Sequence, residues 1–188
     1  DSFEKADIMR GEETELMGII NPDYGKCVYV LPGSHSKIII TDASGKILDF
    51  STMLTGEMIA SLSQHTILKD AVDLSVSDLN DEYLLKGYDY CRQDGINKAL
   101  FKTRILKNVL KCGKEEIYSF FMGTVLCDEI EQIIKCDAET IVIGGRTQIK
   151  NAMVEILKSR DNKKIISLDE STVKLSVILG AIRIFERV

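Results

Sequence analysis

Three short runs rich in β-branched residues, CVYVL at 27–31, KIIIT at 37–41 and KILDFSTM at 46–53, follow one another with only short loops between them. Strands so closely spaced pair as neighbours in an antiparallel meander. Pro32, Gly33, Ser34, His35 and Ser36 join the first two runs. Asp42, Ala43, Ser44 and Gly45 turn the second into the third, where Gly45 supplies the positive φ of a hairpin bulge. The rest of the chain has to cover or extend that sheet.

The later pattern does both. GEETELMGII (11–20) reads as a short helix with acids in its first turn, broken by Asn21, Pro22, Asp23 and Gly25. A helix opens at Thr55, Gly56 and Glu57 and runs to about Gln64, and residues 77–112 carry two more with apolar residues at helical spacing. Residues 114–135 read as one long helix, with a small-residue face at Gly123 and Thr124 where another backbone can approach. A buried strand, TIVIG (140–144), passes through Gly144 and Gly145 into a helix ending near Lys158. KIISL (164–168) is the last strand, and Ser171 or Thr172 is expected to cap a final helix reaching Glu186. The expected fold is α/β: one mixed-sheet layer with helices packed on it.

Hydrophobic residues make up 45% and charged residues 28% of the 188, enough apolar material for a real core. The net charge of -5 argues against a general nucleic-acid binder, which needs a basic excess. Five cysteines, an odd number without a CxxC pair, read as reduced thiols rather than a disulfide framework. With no apolar run of membrane length, the chain reads as cytoplasmic, and an oligomer is compatible with it. The opening segment DSFEKADIMRG does not look like the start of a fold, so the chain is expected to be a piece of something longer.

Three constellations carry chemistry. In the first, the small residues Gly33, Ser34, His35 and Ser36 suit a phosphate, with backbone N–H groups and hydroxyls side by side; an ordinary hairpin connection explains them as well. In the second, Gly144 and Gly145 let a ligand approach the backbone where a strand ends and a helix begins, although close strand–helix packing accounts for them equally. Neither GxGxxG nor GxxxxGK[ST] is present, so a dinucleotide fold and a Walker-type loop are unsupported. In the third, Arg10, Gly11, Glu12 and Glu13 put acids after a glycine at a helix start, fit for a general base but also for simple capping. Glu57, after Gly56, carries the same ambiguity. Arg104, Lys107, Lys111 and Lys114 read as a solvated face, and His65 as a helix-end residue serving the dipole. Two distant histidines make a structural zinc site unsupported, and no metal ligands are assigned.

Taken together, these residues resemble the C-terminal part of the actin-like sugar kinases, whose lobes have a ribonuclease H-like fold. The strings MRGEET (9–14), LPGSHSK (31–37), DFSTMLTGE (49–57), HTIL (65–68), LFKTRIL (100–106) and SFFMGTVLCDEI (119–130) resemble the 2-dehydro-3-deoxygalactonokinase family more closely. Ser34 replaces a commoner Thr, and Ile38 stands where an aromatic is usual. The resemblance implies that residues 1–26 end an interlobe and substrate segment and that 27–188 form the C-terminal nucleotide-binding lobe. The helix over 117–129 looks like the connection between lobes. The family's N-terminal lobe, with its Asp-x-Gly-Ser/Thr phosphate loop, has no counterpart in this sequence.

The implied activity is transfer of the ATP γ-phosphoryl group, with Mg²⁺, to 2-dehydro-3-deoxy-D-galactonate. Glu12 is then the base, with Glu13 as second choice, and Arg10 holds the substrate carboxylate. Gly33, Ser34, His35 and Ser36 face the phosphates, and Gly144 and Gly145 the nucleotide. The chain alone is expected to lack turnover. The first rival is a non-catalytic sugar-acid or nucleotide sensor on the same fold. The second, an unrelated ribonuclease H-like nuclease, ranks low because Asp42 and Asp49 are too few acids near the strands.

Overall fold

The computed structural model describes Phe3, residues 6–145 and residues 147–186. The chain divides into two compact units. The first comprises Asp1–Met53, Cys136–Lys150 and Asn162–Val188; the second comprises Leu54–Lys135 and Asn151–Asp161.

The first unit holds the sheet. Strands β1 (Cys27–Leu31), β2 (Ser36–Thr41) and β3 (Ile47–Met53) form the expected antiparallel meander. Gly45 has φ +83° in the turn between β2 and β3, and the Asp42 carboxylate accepts the Ser44 and Lys46 N–H groups there. β4 (Thr140–Ile143) joins β1 in parallel, and β5 (Lys164–Ser167) joins β4 in parallel. Among the described residues the strand order is β3-β2-β1-β4-β5. β1 and β4 are buried along their whole length, as central strands covered on both faces must be.

Alternation along β1 directs Cys27, Tyr29 and Leu31 to one face, where they meet Ile39 and Val142. Leu16 and Ile19 of helix α1 (Glu12–Ile19) and Leu168 close that core. Helix α7 (Glu170–Phe185) lies against α1 at backbone distance. A Cβ on Gly18 would come within 1.9 Å of Ser176 O, and one on Gly180 within 1.8 Å of Thr14 O. The Arg183 guanidinium donates to the Met17 and Ile20 carbonyls at the end of α1. The cap of α7 corrects the expectation of Ser171 or Thr172. Asp169 is the cap, its carboxylate accepting the Thr172 N–H at 2.8 Å, and both hydroxyl residues lie inside the first turn.

The second unit is helical. It contains α2 (Thr55–His65), α3 (Asp81–Asp94), α4 (Ile96–Asn108) and α5 (Lys114–Lys135). Helix α6 (Thr147–Arg160) starts in the first unit and continues in the second. Ala71, Leu106, Ile117 and Phe120 form one core of the second unit. The small-residue face anticipated at Gly123 meets a helix backbone: a Cβ there would lie 2.0 Å from Leu84 O, and one on Gly87 2.1 Å from Phe120 O. Helices α3 and α5 therefore touch main chain to main chain. All five cysteines are free thiols. No described helix is long and apolar enough to cross a membrane.

Candidate functional site

Topology brings the two glycine-bearing turns to one edge of the sheet. β1 and β4 are parallel neighbours with Val30 opposite Ile143, so both strands end on the same side. β5 runs the same way with Ser167 opposite Ile143, which adds the turn into α7. The ladder continues just past the strands: Gly144 N–H donates to Val30 O and Leu168 N–H to Ile143 O, both at 2.9 Å. Ligands of open α/β sheets bind at such carboxyl ends. A cavity of about 610 Å³ opens there, lined by Glu12, Glu15, residues 31–35, Gly145, Glu170, Val173 and Lys174.

The 32–35 turn is built from within. Ser36 is fully buried and its Oγ accepts the Gly33 N–H at 3.4 Å, so Ser36 shapes the turn and does not line the cavity. Ser34 and His35 are exposed at its tip. A Cβ on Gly33 would meet nothing within 4 Å, so this glycine leaves open space at the cavity wall. Gly145 has φ +76°, and a Cβ there would sit 2.4 Å from Pro32 O. The two turns thus touch each other at a point where no side chain fits. Gly144 stands behind them, buried against Leu31, Leu168 and Val173, and is not part of the lining.

The acids at the start of α1 divide. Glu12 lines the cavity, its Oε1 2.9 Å from Lys37 Nζ and its Oε2 accepting the Arg10 N–H at 2.9 Å. Burial pushes its carboxyl up, but Lys37 and the backbone N–H groups outweigh that and hold it below the usual value. Glu13 is exposed and folds back onto the Gly11 N–H at 2.8 Å, as a capping acid does, away from the cavity. Arg10 is exposed and outside the lining.

Several residues at this edge escaped the sequence reading. Lys37 is 3% exposed and lies opposite Leu31 on the core face of β2, where its ammonium needs a carboxylate; it also donates to His35 O at 3.1 Å. One lysine thereby ties the 32–35 turn to Glu12. Glu15 lines the cavity, and burial followed by the charge of Glu12 raises its carboxyl above the usual value. The signal for Glu15 was available: Glu12 and Glu15 are three apart and share a helix face, and Glu13 does not. Lys150, 5% exposed, donates to Leu168 O at 2.6 Å and steadies the turn that carries Glu170.

The five-stranded mixed sheet with its flanking helices is a ribonuclease H-like fold, and the cavity opens at its edge between a hairpin turn and a strand-Gly-Gly-helix turn. A model of the 2-keto-3-deoxy-galactonokinase family matches residues 1–176, and the chain belongs to that family. The 2-dehydro-3-deoxygalactonokinase of Escherichia coli K12 is 41% identical over 144 residues, 73% of this chain and 47% of that protein. A "Probable 2-dehydro-3-deoxygalactonokinase" of Rhizobium meliloti is 42% identical over 67 residues, 35% of this chain and 22% of that protein. The chain therefore spans less than half the length of these two relatives. The crystal structure of a "putative 2-dehydro-3-deoxygalactonokinase protein" from Sinorhizobium meliloti superposes with TM-score 0.80 at 22% identity, over 98% of this chain and 63% of that one. The activator of the 2-hydroxyisocaproyl-CoA dehydratase of Clostridium difficile, with bound ADPNP, superposes with TM-score 0.54 at 17% identity, over 96% of this chain and 70% of that one. These two likenesses establish the fold.

Proposed function

We propose that this chain is the nucleotide-binding part of a cytoplasmic sugar-acid kinase that converts 2-dehydro-3-deoxy-D-galactonate and ATP to the 6-phosphate and ADP. The observation that carries this reading is the single cavity of about 610 Å³ shared by Gly33, Ser34, His35 and Gly145, a volume within the usual range for a small-molecule site. One ATP spans it, with its phosphates at the 33–35 turn and its adenosine at Gly145, while Gly144 and Ser36 support those turns from behind. The second wall of the cleft comes from the N-terminal lobe of the family fold.

In the reaction the sugar hydroxyl oxygen bonds to Pγ, the bond from Pγ to the ADP oxygen breaks, and the hydroxyl proton passes to the Glu12 carboxylate. Phosphoryl transfer is loose, so the proton leaves late, when the hydroxyl has become acidic. A carboxylate kept ionised by Lys37 is basic enough for that step. Glu13 stays a cap, and Arg10, free to swing from an exposed position, receives the substrate carboxylate. No three His, Cys, Asp or Glu side chains among the described residues gather as a metal cage. A Mg²⁺ carried in on the nucleotide phosphates would supply charge neutralisation there.

The non-catalytic sensor is the second reading, favoured by one observation: both Glu12 oxygens are already engaged, by Lys37 and by the Arg10 N–H. Phosphorus NMR of the two-lobed enzyme, this chain together with an N-terminal lobe of the family, with ATP, Mg²⁺ and the sugar acid separates the two. The kinase reading expects a new phosphate-ester signal that grows with ADP and requires the 2-keto sugar acid. Nucleotide binding with no ester from any sugar acid would leave the sensor.

A further inference from the structure

Two of the family-like stretches, HTIL at 65–68 and LFKTRIL at 100–106, take no part in the nucleotide cavity. Within the helical unit they come together. Arg104 Nη1 donates to Ile67 O at 2.8 Å, and His65, Ile67 and Arg104 line an open cavity of about 840 Å³ with Lys69 and Asp70. Lys69 and Asp70 also line an adjoining cavity of about 620 Å³, to which Lys107 and Lys114 contribute.

The charge in this region runs against the rest of the chain, which has 29 acidic and 24 basic residues. Helix α4 carries Lys98, Lys102, Arg104 and Lys107 and no acid at all. Lys114 is neutralised by Asp73 at 2.8 Å. Lys69, Arg104 and Lys107 have no ion-pair partner among the described residues, and Asp70 is the one unpaired carboxylate lining the two cavities. Cations gathered in this way repel one another until a counter-anion arrives. The hydrogen bond to Ile67 O fixes the plane of the Arg104 guanidinium and leaves its other N–H donors for a second acceptor. A plain helix-end cap would account for Arg104 but not for the Lys69 and Lys107 side chains; Lys69 bonds that turn through its backbone N–H alone, to Thr66 O at 3.2 Å.

We propose that the hollow formed by His65, Lys69 and Arg104, with Lys107 beside it, is a second anion site that takes a small organic oxyanion, a phosphorylated or carboxylated sugar-sized molecule. None of its residues lines the nucleotide cavity, and the inference stands without the kinase reading. Lys69 and Lys107 are exposed, so their removal does not disturb packing.

The test is amide and arginine side-chain NMR of the chain, titrated at constant ionic strength with inorganic phosphate, gluconate and 6-phosphogluconate. Saturable shifts at Ile67, Lys69 and Arg104 are expected, and the K69A/K107A double variant should weaken them roughly tenfold through two lost charge-assisted contacts. A response to phosphate and 6-phosphogluconate alone identifies a phosphate site; a response to gluconate as well identifies a carboxylate site, and either supports the inference. Shifts that sodium chloride reproduces, shifts confined to residues 33–35, or an affinity unchanged in the double variant would overturn it.

Discussion

In the two-lobed enzyme, Glu12→Gln is expected to lower turnover with ATP and the sugar acid by roughly 10²–10⁴-fold, the range for losing a general base. The amide keeps the shape of the side chain and can still accept from Lys37, so the 33–35 turn stays in place. ATP affinity should then change by no more than about twofold, because only a transition-state contact has gone. Lys37, with 4% of its side chain exposed, loses its counter-charge, so the variant should also melt earlier than the parent. Assays below that transition separate the two effects. Glu13→Gln serves as the control, since Glu13 is exposed and engaged with the Gly11 N–H, and should retain near-normal turnover. Near-normal turnover in Glu12→Gln instead would remove Glu12 from the mechanism and move the base to Glu15, which lines the same cavity.

Gly123→Val should be the most damaging single change to the helical unit. A Cβ at Gly123 lies 2.0 Å from Leu84 O and 2.9 Å from Tyr88 N, both main-chain atoms of α3 that no rotamer change can move aside. The helices have to separate, which opens the packing around them, at a cost of at least about 3 kcal/mol. For a chain of this size that corresponds to a midpoint lowered by roughly 6–12 °C in thermal unfolding followed by circular dichroism. Gly113→Ala, whose Cβ would meet only Glu116 Oε2 at 3.6 Å, should stay within about 0.5 kcal/mol of the parent. Equal midpoints for the two variants would mean that α3 and α5 do not pack at backbone distance.

Local signals made much of this fold readable. The closely spaced β-branched runs at 27–53 pointed to an antiparallel meander, and Gly45 marked its second turn. The parallel placement of β4 beside β1 puts the Gly33 and Gly145 turns at one edge of the sheet. Long-range pairings left weaker traces. Lys37 lies inside a string that resembles the family, but its need for Glu12 appears only once the face of β2 is known. Gly145 was read as room for a ligand, and its sterics show contact with Pro32, a partner that sequence spacing does not reveal. The cap of α7 was misplaced because Ser171 and Thr172 are as good capping types as Asp169, and only geometry selects among neighbours. The division into two units left no Gly- or Ser-rich signal, because β3 ends at Met53 and α2 begins at Thr55.

On the proposed reading, one nucleotide is clasped between the hairpin turn and the Gly145 turn. Amide NMR of the chain titrated with a non-hydrolysable ATP analogue and Mg²⁺ tests it most directly. Gly33, Ser34, His35 and Gly145 are expected to shift together along a single saturation curve, and AMP, which lacks the β- and γ-phosphates, to move Gly145 but not the 33–35 turn. Shifts at one turn without the other under the ATP analogue, or a saturable response elsewhere in the chain only, would contradict it.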